Sequence, residues 1–206
     1  GLQKRLNTLT TYNGRLYAGQ EDLAGDGDIF VCSPGSDNVC DTSDWSTSYD
    51  GSLSGIFSLA VYNGRLYAGQ GNSAGAGDIS FCNPAINTTG GDTIVCDHDD
   101  WATSYDGPYI QAKSLAVYNG RLYAGLRGIG NGVILACNQS STGDSSLCDT
   151  GDWSTSYNGS TGPDDISSLA VYNGRLYAGQ GDVDAGIGAG DIFVCSPGSD
   201  NVCDTS

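Results

Sequence analysis

The sequence predicts an all-β chain of four tandem repeats, each made of short antiparallel strands, and three observations predict it. The octapeptide Tyr-Asn-Gly-Arg-Leu-Tyr-Ala-Gly occurs four times, starting at Tyr12, Tyr62, Tyr118 and Tyr172, with periods of 50, 56 and 54 residues. Four close cysteine pairs keep the same rhythm, one to a repeat: Cys32/Cys40, Cys82/Cys96, Cys137/Cys148 and Cys195/Cys203. No stretch carries the apolar periodicity of an amphipathic helix, whereas short strand-like runs recur throughout. The period defines a single array over residues 1–206, with repeats at approximately 1–51, 52–107, 108–161 and 162–206 and no linker between them.

Each element of a repeat follows from its residues. The first strand is a short apolar stretch, as in residues 58–62 (Ser-Leu-Ala-Val-Tyr), and the second is Arg-Leu-Tyr-Ala-Gly, as in residues 65–69. Between them stands Asn-Gly, the preferred two-residue type I′ hairpin, because both central residues must take positive φ. A Gly-x-Gly step, at Gly25/Gly27, Gly75/Gly77, Gly130/Gly132 and Gly188/Gly190, leads into a third strand such as residues 28–32 (Asp-Ile-Phe-Val-Cys). With no helix after them and acid around them, these glycines suit tight turns or bulges rather than a phosphate cradle. The fourth strand follows the cysteine loop, at residues 45–49 (Trp-Ser-Thr-Ser-Tyr), 101–105 and 153–157. Period-two alternation places Trp45, Thr47 and Tyr49 on one face and the two serines on the other.

Four such strands, repeated four times, form the pattern of propeller blades, so the expected fold is a four-repeat β-propeller of four-stranded antiparallel blades. Small and β-branched residues in Leu-Ala-Val-Tyr suit an inner strand crowded near an axis, and Trp and Tyr on the fourth strand suit the wider gap between blades. In its strand, Asn-Gly, strand opening and its late Trp, the repeat resembles kelch-like and other extracellular β-propeller repeat proteins over nearly the whole chain. It departs from the kelch pattern in lacking the double glycine, so the resemblance implies architecture alone. An open spiral or solenoid of four-stranded units, with ends that need capping, is the alternative.

The two ends of the array differ. The fourth repeat stops at residues 203–206 (Cys-Asp-Thr-Ser), where its fourth strand would begin, so the last blade is expected to lack its outer strand. The third strand would then present an edge able to pair with another chain. Residues 1–8 do not resemble the strand at 45–49 that would fill the gap, while residues 27–43 and 190–206 are identical over 17 positions. The expectation is a window on a longer array or protomers that supply one another's strand head to tail, with a truncated tail as the plainer reading.

Composition narrows the function. Lys+Arg number 8 against Asp+Glu 24, a formal net charge of −16, and phosphate binding needs the opposite balance, so nucleic acid is not an expected partner. Of the acids only Glu21 is Glu, and Asp is a turn residue, which places the acidity in loops. Apolar runs such as residues 133–136 fall far short of the roughly 20 residues that a membrane-spanning helix needs, so no membrane insertion is expected. Met is absent and nothing resembles a signal sequence, which reads as a mature or excised segment. An even cysteine count with one pair per repeat reads as a disulfide framework in an oxidising, extracellular setting, each bridge contributing about 2–3 kcal/mol. Zinc, the competing reading, is disfavoured by the varying spacings and by a single histidine, His98. Sequons at Asn87, Asn138 and Asn158 fit an extracellular surface.

Nothing offers a catalytic constellation, and no enzyme is expected. His98 is a substitution in one repeat where the first has Thr42. The carboxylate pairs Asp41/Asp44 and Asp149/Asp152 recur with the repeat, as turn caps do, whereas an active site is usually built once. Structural calcium stays open: Asp28, Asp78 and Asp191 share one position before the third strand, but the third repeat has Val133 there. Arg15, Arg65, Arg121 and Arg175 follow each hairpin turn, poised to pair with loop aspartates or touch a neighbouring blade. Trp45, Trp101, Trp153, Tyr49, Tyr105 and Tyr157 would serve either as inter-blade packing or as aromatic platforms for sugars. The resulting expectation is an extracellular structural or adhesive repeat module, a unit of a larger or filamentous assembly completed by strand pairing. Its partners would be copies of itself or adjoining repeats. The alternative is a multivalent carbohydrate-binding protein that takes glycans.

Overall fold

A computed structural model describes residues 4–22, 27–51, 55–72, 75–84, 94–139, 147–159, 164–182, 190–195 and 203. Among them every regular element is a strand except one turn of 3-10 helix, His98–Asp100. The first repeat is an antiparallel sheet in chain order: β1 (Lys4–Tyr12), β2 (Arg15–Asp22), β3 (Gly27–Cys32) and β4 (Trp45–Gly51). The second holds β5 (Gly55–Tyr62), β6 (Arg65–Gly71), β7 (Ile79–Cys82) and β8 (Trp101–Tyr105). The third holds β9 (Gln111–Tyr118), β10 (Arg121–Arg127), β11 (Gly132–Cys137) and β12 (Trp153–Asn158). The fourth holds β13 (Asp164–Tyr172), β14 (Arg175–Asp182) and β15 (Asp191–Val194). The expectation of an absent outer strand concerns residues 204–206, which lie outside the described residues.

The hairpins are set by two residues each. Asn13, Asn63, Asn119 and Asn173 have φ of 46–48°, and Gly14, Gly64, Gly120 and Gly174 follow at 70–74°, the type I′ geometry that matches strand twist. The fourth strand departs from simple alternation. Ile29 pairs with Tyr49 but Phe30 pairs with Thr47, so Ser48 is the extra residue of a β-bulge, and Ser104 and Ser156 repeat it. The bulge turns Ser48 inward to full burial and leaves Thr47 exposed. It also sends the two aromatics of one strand to opposite faces: Trp101 joins the cluster shared with the first repeat, Tyr105 the one shared with the third. The expectation that Trp, Thr and Tyr share a face fails because one inserted residue shifts the period-two register.

A lone sheet has two faces and no interior, so its apolar face must be buried by something else. Here the cores lie between the sheets. One cluster joins Tyr12, Tyr17 and Ile29 of the first repeat to Ile56, Leu59 and Leu66 of the second, and equivalent clusters fill the next two junctions. Strand β1 packs on β5, β5 on β9, and β9 on β13. Close approach at these strands needs the glycine of Tyr-Ala-Gly: a Cβ at Gly19 or at Gly125 would come within 2.5 Å of Ile56 Cγ2 or Ile166 Cγ2 respectively. Single ladder pairs, Gly71 with Gln111 and Arg127 with Asp165, stitch neighbouring sheets at the same level. Among the described residues the sheets do not close on themselves, and β13 packs on β9 rather than on β1.

Candidate functional site

The junction between consecutive repeats is where polar and aromatic side chains converge, and its chemistry recurs. The tyrosine before each hairpin turn crosses to the next repeat: Tyr12, Tyr62 and Tyr118 donate their hydroxyls to the carbonyls of Gly64, Gly120 and Gly174 at 2.9, 2.7 and 3.0 Å. In the first and second repeats the tyrosine of the second strand is an acceptor. Cys96 N–H donates to the Tyr17 hydroxyl at 3.1 Å, and Cys148 N–H to that of Tyr67 at 3.0 Å. The bulge serines complete the set: Ser48 donates to the Cys96 carbonyl at 2.6 Å, Ser104 to that of Cys148 at 2.5 Å, and Ser156 to that of Cys203. Ser48 and Ser104 also accept from the following repeat's indole, Trp101 Nε1 on Ser48 at 3.3 Å and Trp153 Nε1 on Ser104 at 3.0 Å.

This arrangement places the aromatic candidates. Tyr49 meets Trp101 edge-on at 5.6 Å, and Tyr105 meets Trp153 at 6.1 Å. At the third junction Tyr157 packs on Phe193 at 5.5 Å. Five of the six thus pack across junctions, and Trp45 lies partly buried on the open face of the first repeat. The bridges Cys32–Cys40, Cys82–Cys96, Cys137–Cys148 and Cys195–Cys203 each close inside one repeat. They fix the loop whose second cysteine supplies the N–H and carbonyl that the preceding repeat grips. This chemistry fits an oxidising environment.

The loop acids act as turn caps. Asp41, Asp97 and Asp149 N–H groups donate to the carboxylates of Asp44, Asp100 and Asp152 at 2.8, 3.0 and 3.2 Å. Return bonds run from those residues' N–H groups to the carbonyls of Asp41, Asp97 and Asp149. His98 is exposed beside this turn. Arg15 and Arg121 donate to Ser33 and Asn138 just past the third strands of their own repeats. Lys113 pairs with buried Asp165 across the third junction, reinforced by Ser167. Among the described residues no three His, Cys, Asp or Glu side chains converge to hold a metal, and no helix is long and apolar enough to cross a membrane. Of the sequons, Asn87 lies outside the described residues. Asn138 is engaged through Arg121 and Ser154, whereas Asn158 is exposed and accepts from Asn131.

Burial tunes several ionisable groups. It pushes the Tyr67 phenol up to about 12, against a smaller lowering by the Cys148 N–H. Tyr105 is pushed to about 12 by burial, then by its neighbours Tyr109, Asp106 and Asp78. Asp78 is raised above the usual carboxylate range by burial and by Asp106. The bulge serines were not singled out by sequence. Their signal was nonetheless there, since Ser46 becomes Ala102 in the second repeat while Ser48, Ser104 and Ser156 stay serine. No protein-family model matches the chain, and no curated protein matches it.

Proposed function

We propose that this chain is an extracellular structural or adhesive repeat module, its units being successive blades of a propeller-like array within a larger assembly. One observation carries this reading: the three apolar clusters formed by the described residues all lie at junctions, so each repeat gains stability from its neighbours. The row of first strands, β1 beside β5 beside β9 beside β13, is how the innermost strands of blades would lie. Four intra-repeat bridges support a secreted setting, where small sheets need staples. The cross-junction engagement of Tyr49, Tyr105, Tyr157, Trp101 and Trp153 supports packing over ligand capture. Beads coated with the oxidised chain should hold to cell or matrix surfaces and lose that hold on reduction. Beads that detach as easily as ones carrying an unrelated acidic β-rich protein would remove the adhesive reading.

Carbohydrate binding is the second reading, and one place favours it. Tyr105 stacks on Tyr109 at 6.3 Å, both rings partly exposed, with Asp78 and Asp106 nearby, a pairing of flat ring and carboxylate that sugars use. A glycan array decides: retention at millimolar sugar, abolished by Tyr109→Ala, would favour it over the structural reading.

A further inference from the structure

Equivalent side chains differ sharply in burial according to whether a neighbouring repeat covers them. On the trailing face, Tyr12, Tyr62 and Tyr118 are at most 5 % exposed, but Tyr172 is 65 % exposed. Ile29, Ile79 and Ile134 are at most 8 % exposed, but Ile192 is 80 % exposed. The leading face shows the mirror pattern. Ile56, Ala112 and Ile166 are fully buried, while Leu6 at the same register is 66 % exposed, and Leu9 is 61 % exposed where Leu59 is 8 %.

We propose that these two surfaces are the halves of one interface, and that the trailing face of the fourth repeat docks on the leading face of the first repeat in a second copy of this chain. The inference rests on the repeat-module reading and names its partner. The trailing face of the fourth repeat reproduces that of the first residue for residue, with Tyr172 for Tyr12, Tyr177 for Tyr17, Ile192 for Ile29 and Val194 for Val31. The first repeat's trailing face is covered by Ile56, Leu59, Leu66, Val95 and Trp101 of the second. The first repeat itself offers the matching set: Leu6, Leu9, Leu16, Val39 and Trp45. Its hairpin turn supplies the Gly14 carbonyl, the counterpart of those at Gly64, Gly120 and Gly174 that accept a tyrosine hydroxyl. The match is between unlike faces, so the contact is head to tail and passes from copy to copy. Sheet faces, rather than a strand edge alone, carry the association.

Sedimentation velocity of the oxidised 206-residue chain across a wide concentration range tests this. Mass should rise with concentration, and Tyr172→Ala and Leu9→Asp should each weaken association about tenfold or more. Both sites are exposed in the single copy, so each variant should keep the parent's circular dichroism and melting profile. Mixing the two variants should restore dimers but no longer species, because the Leu9→Asp chain keeps a sound tail and the Tyr172→Ala chain a sound head. Monomer at every concentration would overturn the proposal, as would folded variants that fail to complement when mixed or a monomer in which Tyr172 is protected from solvent. A monomeric chain that still holds beads to surfaces sinks this inference alone. A chain that assembles but does not adhere sinks the adhesive reading alone.

Discussion

A buried tyrosine hydroxyl that accepts a backbone N–H makes the junction sensitive to alkali. Tyr67 has an ordinary phenol value of 10.0 in the unfolded chain and about 12 in the fold, so the folded state holds its proton longer. The stability it contributes is complete below about 10 and is lost as pH rises from there through about 12. Alkaline titration followed by ultraviolet absorbance should show Tyr67 and Tyr105 ionising only as pH approaches about 12, with unfolding setting in over the same window. Asp78 has the same sign at lower pH: its raised value means that the folded state favours the protonated acid, so its contribution falls as pH rises through that value. Asp78→Asn should melt above the parent at neutral pH, and the gap should close on acidification. Ser104→Ala should cost roughly 1–3 kcal/mol by chemical denaturation, because it strands both the buried Cys148 carbonyl and the Trp153 indole N–H.

At the level of the element, the hairpin turn was fully legible, since Asn-Gly demands positive φ at both residues and the four copies hold it within a few degrees. Gly64→Ala should cost roughly 1–2 kcal/mol from left-handed backbone alone, as a Cβ there would meet nothing within 4 Å, and thermal melting reads the loss. The fourth strand was legible in place but not in facing. A bulge leaves no mark in the local pattern of Trp-Ser-Thr-Ser-Tyr, because Ser is equally at home buried or exposed and the extra residue is fixed by the partner strand. The cross-junction hydrogen bonds of Tyr12 and Tyr17 were likewise hidden. They depend on residues about 50 to 80 positions away, and spacing alone does not say which repeat face turns toward which. The aromatic candidates were legible by type and as inter-blade packing, but which ring meets which emerged only when neighbouring sheets were set face to face.

The whole molecule is a row whose cohesion is distributed over its junctions. A protein containing the first and second repeats alone should unfold at lower denaturant than the four-repeat chain and with a smaller m-value, since it keeps one of the three junction clusters formed by the described residues. The net charge of −16 acts along the entire row, so copies that meet end to end repel, and their association should strengthen as salt screens that repulsion. Sedimentation at low and high ionic strength reads this directly.

Every bridge closes within its own repeat, the paired cysteines standing 8 to 14 positions apart in sequence, and none spans a junction. Pulled from its termini, such an array has no disulfide that forces neighbouring sheets to yield together. It would lengthen in discrete steps, one sheet peeling at a time, while the sulfur staples hold part of each released contour in reserve. A chain built this way would absorb work gradually and leave its most local structure ready to re-form when the load is removed.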